Sequence, residues 1–303
     1  MKFPFGKLWL SPMESVSDFG FRKLCHNHGA SLTFIEMLYA DAIARKNKAA
    51  LGLVDSYDPA IPTGIQFLAG KPIILRKALE SLQDKRFSNL SVVDLNFGCP
   101  SPVVIKSGNG PALLKRTQRM TELLTVLKKH SPLPCGIKIR LGLNNTDKAN
   151  KVYLRIIETV NSVGLDYVTV HPKTASDSSQ APVDHTALQE IIDHATIPVV
   201  GNGFVVDGPS AQKLLRMGCS AVMIARAAVG HPWIFEEIAK YLDNGTMPRK
   251  KTATDYENAW KSYAALAQRY GTKKKFYEYH QKTFQLRMKG DLGYHAPSRI
   301  LNG

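Results

Sequence analysis

Short runs of β-branched and apolar residues recur along the chain and alternate with longer segments whose apolar positions return every three or four residues. That alternation is the pattern of repeated strand–helix units laid around a parallel sheet. Eight runs read as strands, at residues 8–12, 32–36, 63–67, 92–96, 136–141, 167–171, 198–201 and 221–225. Between them, residues 120–129 carry a Leu/Val stripe with lysines on the opposite face, and residues 153–163, 185–194 and 210–217 repeat the amphipathic period. Eight strands each followed by a helix, within about 235 residues, predict a (β/α)8 TIM barrel, whose usual size is about 250. A doubly wound open sheet is the competing α/β arrangement, but no Gly-x-Gly-x-x-Gly follows the first strand.

The texture changes after residue 241. Asn244, Gly245 and Pro248 punctuate a linker that ends in Arg249, Lys250 and Lys251, and two helical patterns follow at 255–270 and 273–289, separated by Gly271. The chain therefore divides into a barrel over 1–241 and a small C-terminal helical domain over 242–303. Aromatic residues interleave with the basic ones in this tail, among them Tyr256, Trp260, Tyr263, Phe276, Tyr277, Tyr279 and Phe284. As the small domain's own core they need no ligand; turned outward, they would offer flat rings to unstacked bases beside cations for phosphates.

Charge sharpens that choice. Lys and Arg number 40 against 25 Asp and Glu, a formal +15 that biases association toward polyanions. No apolar run approaches the roughly 18–20 residues of a membrane span, and the first ten residues, broken by Pro4 and Lys7, lack the apolar core of a secretory signal. A cytoplasmic protein without a membrane partner is expected. The cysteines, Cys25, Cys99, Cys135 and Cys219, contain no Cys-x-x-Cys, so neither a metal site nor a disulfide framework is expected.

In a barrel of this kind the polar residues at the C-terminal strand ends converge on the active site. Here they are Ser11-Pro12-Met13, Glu36-Met37, Gln66, the segment from Asp94 to Pro100, Lys138-Ile139-Arg140, His171-Pro172-Lys173-Thr174, Gly201-Asn202-Gly203 and Ala225-Arg226. Gly-Asn-Gly after the seventh strand and Arg226 after the eighth suit a phosphate, because the backbone can approach closely and a guanidinium stands by. Cys99, leaving the fourth strand beside Gly98 and Pro100, reads as an active thiol, protonated near neutral pH and able to serve as an acid. Lys138 alternates with Ile137 and Ile139 and so projects into the barrel, where it needs an anionic or electron-rich ligand, or an ion pair with Glu36 or Asp94. His171, at a strand end, suits a ligand contact.

Taken together, these segments resemble the tRNA-dihydrouridine synthases. The likeness is carried in order by Ser11-Pro12-Met13-Glu14-Ser15-Val16-Ser17-Asp18, Gln66, Asp94-Leu95-Asn96-Phe97-Gly98-Cys99-Pro100-Ser101, Lys106-Ser107-Gly108-Asn109-Gly110-Pro111, Lys138-Ile139-Arg140-Leu141-Gly142, Val170-His171, Val200-Gly201-Asn202-Gly203 and Val222-Met223-Ile224-Ala225-Arg226. The resemblance implies a flavoenzyme that reduces particular tRNA uridines, with FMN as cofactor and NADPH as reductant; a monomer is expected, though no residue pattern fixes the oligomeric state. It implies Pro12 and Met13 along the isoalloxazine, Gln66, Lys138 and His171 at its polar edge, and Asn202, Gly203, Ala225 and Arg226 at the ribityl chain and phosphate. Asn96 would touch the target base and Cys99 would protonate it. Lys173 and the tail's Lys273, Lys274 and Lys275 would face tRNA. Three positions depart from the family pattern: Pro172-Lys173 replaces a common Gly-Arg after the histidine, Phe204 replaces an acidic residue after Gly-Asn-Gly, and Ala225 replaces a frequent glycine. The rival functions are an FMN barrel acting on a free pyrimidine, like dihydroorotate dehydrogenase, and a tRNA-binding protein without catalysis.

Overall fold

The computed structural model describes residues 5–54 and 58–290, so the last part of the expected tail lies outside the described residues. Nine parallel strands appear: β1 (Leu8–Leu10), β2 (Leu32–Phe34), β3 (Leu38–Tyr39), β4 (Thr63–Leu68), β5 (Leu90–Phe97), β6 (Cys135–Arg140), β7 (Tyr167–His171), β8 (Val199–Asn202) and β9 (Ala221–Ile224). Strand β1 pairs with both β2 and β9, and β2 pairs with β4, so eight strands close into the expected barrel. The ninth, β3, extends the second barrel strand along the upper end of β4, with Leu38 opposite Phe67. Between β2 and β3, Glu36 leaves the ladder and accepts a 2.7 Å hydrogen bond from the Ser15 backbone.

The floor of the barrel is aromatic. Trp9, Phe34 and Tyr167 are fully buried inside it with Val92, Val200 and Met223, and the Trp9 and Tyr167 rings meet edge-on at 5.2 Å. Burying rings of this size stabilises the fold by roughly 1.5–3 kcal/mol each. Glycines make the room: a Cβ on Gly64 would lie 2.4 Å from the Phe34 ring, and one on Gly136 would lie 2.5 Å from Tyr167. With the floor plugged, the open volume is left at the C-terminal mouth.

The outer helices match their sequence pattern closely, at Thr117–His130, Val152–Val163, His185–His194 and Gly208–Arg216. The last of these begins on Asp207 and Ser210, which cap each other's backbone. Helix Ile234–Asn244 crosses the expected boundary at 241 and stops only where Gly245 turns left-handed at φ +74°, so the linker begins at Gly245 rather than at 242. Two helices follow, Ala253–Arg269 and Lys274–Lys289.

These tail helices are packed onto the barrel through helix Phe19–Asn27 and the loop before it. Asp18 accepts hydrogen bonds from the Tyr263 hydroxyl at 3.3 Å and the Thr272 hydroxyl at 3.0 Å, while buried His280 lies 2.9 Å from the Val16 carbonyl and 3.2 Å from Asp18. Tyr263, Phe276, Tyr279 and Phe284 are buried in this joint. Their rings thus hold the tail together and to the barrel and are not an open stacking surface. No helix among the described residues is long and apolar enough to cross a membrane.

Candidate active site

A cavity of about 240 Å³ opens at the C-terminal mouth. Its wall brings together Pro12, Met13, Gln66, Asn96, Cys99, Lys138, His171, Asn202, Gly203, Ala225 and Arg226, residues drawn from seven of the eight barrel strand ends. Glu14, Met37, Arg140 and Phe204 are also on it. Met37 and Arg140 were both among the strand-end residues expected at the mouth; Arg140 stands two residues after Lys138 on β6, and side chains two apart share a face of a strand.

Cys99 is placed by the turn that ends β5. The Asn96 side-chain oxygen accepts from the backbone N–H of Gly98 at 3.1 Å and of Cys99 at 2.9 Å, closing a tight turn that leaves the thiol half-exposed on the cavity wall. Burial is the main cause that pushes this thiol above its ordinary value, so the protonated form is favoured. Arg140 braces the same turn, donating from Nε to the Gly98 carbonyl at 2.9 Å and from Nη1 to the Thr174 carbonyl at 2.6 Å. One guanidinium thereby joins the loops after β5 and β7.

Lys138 resolves its two readings. No hydrogen bond or ion pair to its ammonium occurs among the described residues, so neither Glu36 nor Asp94 clasps it, and it stands on the cavity wall. Burial, then the neighbouring Arg140 charge, bring it down to about 8. A half-buried cation with no protein partner, set on a cavity wall, suits an anionic or electron-rich ligand. Burial also holds His171 well below the usual histidine range, with Lys138 and Arg140 adding to the effect, so its ring is neutral.

The far end of the cavity suits a phosphate. Gly203 has φ +112°, and a Cβ there would lie 2.7 Å from His171 Cδ2, so only glycine brings the backbone this close. Asn202 is buried and donates to the Met223 carbonyl at 2.7 Å, tying β8 to β9. Ala225, at φ −120° and ψ −108°, stands on the cavity wall where the family often has glycine. Arg226 reaches the Ser179 carbonyl at 3.2 Å and lines the cavity. The unpartnered Lys138, the close-approach backbone at Gly203 and the adjacent guanidinium together fit a flavin mononucleotide.

Four expected contacts lie elsewhere. Lys173 is 3% exposed and does not line the cavity; its ammonium donates to the Ser178 and Ser179 carbonyls at 3.4 and 3.2 Å and sits against Phe204. The reason is local, since the Lys173 N–H bonds the His171 carbonyl at 2.7 Å and the chain turns sharply there. Lys273, Lys274 and Lys275 are exposed at the start of the second tail helix, outside the cavity. Lys275 comes 3.4 Å from the Ser15 hydroxyl, next to the cavity residue Glu14, so this cluster sits on the rim. Among the described residues no group of three or more His, Cys, Asp or Glu side chains is placed to hold a metal ion.

Comparison with known proteins places this arrangement. The family model for dihydrouridine synthases (Dus) matches residues 9–294. The tRNA-dihydrouridine synthase B of Proteus vulgaris is 31% identical over 239 residues, covering 78% of this chain and 72% of that one. The tRNA-dihydrouridine synthase B of Escherichia coli (strain K12) is 29% identical over 243 residues, covering 80% and 74%. Among solved structures, a variant of NCR from Zymomonas mobilis shares the fold, with a TM-score of 0.55 at 12% identity over 84% of this chain and 94% of that one.

Proposed function

The chain belongs to the dihydrouridine synthase family, and from that premise we propose that it reduces uridines of tRNA to 5,6-dihydrouridine, using FMN and NADPH in the cytoplasm. The observation that carries this reading is the half-exposed thiol of Cys99 facing the same cavity as the unpartnered ammonium of Lys138. When bound, the flavin supplies the hydride that adds to uracil C6.

The chain's own residues do the rest. Lys138 and neutral His171 would hold the polar edge of the flavin, with Pro12 and Met13 along its ring and Gly203, Ala225 and Arg226 at its phosphate. Hydride addition at C6 leaves an electron pair at C5, conjugated with O4, and the Cys99 thiol gives its proton to C5 and becomes a thiolate. This is general-acid catalysis, and a thiol kept protonated by burial suits it. Gln66 would join the flavin's polar edge, and Asn96 would touch the target base. A uridine stacked in folded tRNA cannot reach the mouth of a barrel, so the base must be extruded, at a cost met by binding the surrounding backbone. The rim cluster Lys273, Lys274 and Lys275 would supply part of that binding. A single chain carries every residue this scheme uses, so a monomer suffices.

The direct test is to incubate the purified protein with FMN, NADPH and tRNA lacking dihydrouridine, then to look by mass spectrometry for uridines two mass units heavier. Their appearance supports the reading. A protein that stays colourless with added FMN sinks it, and a yellow one that oxidises NADPH while leaving tRNA unchanged points to a free pyrimidine as substrate.

A further inference from the structure

We propose that Asp94, Gln66 and Asn96 form a directional hydrogen-bond relay inside the barrel that sets the position of the Cys99 thiol. The links are short and continuous. Gln66 Nε2 donates to Asp94 Oδ1 at 2.7 Å, Asn96 Nδ2 donates to Gln66 Oε1 at 2.7 Å, and Asn96 Oδ1 accepts from the backbone N–H of Gly98 at 3.1 Å and of Cys99 at 2.9 Å.

Register puts the three side chains together. Gln66 on β4 and Asp94 on β5 are direct cross-strand partners, and Asn96 follows Asp94 by two residues on the same face. Polarity then passes along the chain. A side-chain amide has one donating and one accepting end, and an ionised carboxyl only accepts. Asp94 therefore demands the NH₂ end of Gln66, which leaves the Gln66 oxygen for the NH₂ of Asn96 and the Asn96 oxygen for the two N–H groups of the Cys99 turn. Reversing Asn96 alone would set its NH₂ against those N–H groups and its oxygen against that of Gln66. Asp94 and Gln66 are each 1% exposed, so a reversed Gln66 amide would find no water to compensate.

Asp94 lies below the cavity, between Gln66 and the Tyr167 hydroxyl. It does not line the cavity, and it makes no ion pair with Lys138 among the described residues. Burial brings its carboxyl up to about 7, with the Tyr167 hydroxyl as its other neighbour. Oδ1 still accepts from Gln66 when a proton rests on the second oxygen, so the relay persists through that titration. Asp94 is thus a positioning residue, and the inference rests on reading Cys99 as the acid.

Two substitutions separate the relay from charge and volume. Asp94→Asn and Asp94→Leu both remove the carboxylate facing Lys138, but only Asn keeps an acceptor for Gln66. The readout is iodoacetamide alkylation of Cys99 in the full-length protein without tRNA, followed from pH 6 to 10, with Cys99→Ser as the blank; Cys25, Cys135 and Cys219 are buried. Asp94→Leu is expected to free the Cys99 turn, move the alkylation midpoint down by about one pH unit and raise the rate below it roughly tenfold. Asp94→Asn should stay within about twofold of the parent, a conservative rescue that a purely electrostatic role would not show. Where Asp94→Leu does not fold, Gln66→Met breaks the same chain and should give the same shift. An unchanged profile in a folded Asp94→Leu or Gln66→Met variant, or an Asp94→Asn profile as altered as that of Asp94→Leu, overturns the relay. Thiol alkylation needs no turnover, so its result holds even if the chain makes no dihydrouridine.

Discussion

The Lys173 ammonium lies 4.5 Å from the centre of the Phe204 ring, joining two residues at which this chain departs from the family's usual pattern. Where many relatives place an arginine after the β7 histidine and an acidic residue after Gly-Asn-Gly, this chain places a lysine and an aromatic ring, and the two meet. A cation–π contact thus links the loops after β7 and β8. Phe204 holds a left-handed backbone at φ +53°, a conformation that a bulky residue adopts only under constraint.

That pair predicts an order of stabilities. Phe204→Ala removes the ring but keeps the strained backbone, and it leaves the buried Lys173 ammonium with only two carbonyls. A loss of about 1–2 kcal/mol is expected, which for a domain of this size lowers Tm by roughly 2–8 °C. Phe204→Gly loses the same ring but relieves the left-handed strain, so it should melt above Phe204→Ala. Thermal unfolding followed by circular dichroism checks the order, and a Gly variant less stable than the Ala variant would refute the strain argument.

Cys99→Ala tests the acid directly. The thiol meets no proposed phosphate contact, so the variant should keep its flavin and its yellow colour. Dihydrouridine formation on unmodified tRNA should fall by about 10²-fold or more, the usual contribution of a positioned acid. Single-turnover oxidation of the reduced flavin by tRNA is the cleanest measurement, because it isolates the chemical step. Parent-like rates in Cys99→Ala would take the acid role away from this residue.

The barrel was legible in the sequence because its strands are short apolar runs and its helices keep an uninterrupted 3.6-residue period. The cavity was legible for the same reason: once the strands are counted, their polar C-terminal ends must converge. The burial of Lys173 was not legible, because the turn after β7 carries a backbone hydrogen bond from its own N–H, which no side-chain pattern announces. The tail's docking was hidden for a different reason. Asp18 meets Tyr263 and Thr272, and Val16 meets His280, across more than 240 residues of chain. Periodicity says which face of a helix is apolar, and it does not say which surface covers that face. The same limit applies to the relay from Asp94 to Cys99, whose members are ordinary polar residues until strand register sets Gln66 beside Asp94.

If the proposed flavin site holds, Lys138 would make FMN binding depend on pH. In the ligand-free protein its ammonium loses its proton near pH 8, pressed down by burial and by Arg140 on its own strand, and supported by Asp94 on β5 and Cys99 beyond it, with His171 facing it from β7. FMN affinity should therefore fall as pH rises through about 8, and the Lys138→Met variant should bind weakly with a flatter profile. The stability of the ligand-free protein moves the other way. The folded chain holds this proton less tightly than the unfolded one, whose lysine titrates near 10.5, so Lys138 adds stability as pH rises from about 8 to 10.5. Fluorescence titration of FMN at several pH values checks the first expectation; affinity that holds constant through pH 9 removes Lys138 from the flavin's binding partners.

The rim lysines separate substrate grip from cofactor binding. Lys273, Lys274 and Lys275 are exposed, and among the described residues only Lys274 of the three has an acidic partner, Glu278 at 3.5 Å, in an exposed pair worth little. Replacing all three by glutamine should weaken tRNA binding most at low salt. If each meets a phosphate, the slope of log affinity against log salt should shrink by about 2–3, since each released counterion contributes roughly 0.7–0.9. The flavin spectrum should not change, because the cluster stands outside the cavity. Filter binding at 50, 100 and 200 mM salt measures the slope, and a triple variant with the parent's slope would place the tRNA contact elsewhere on this basic chain.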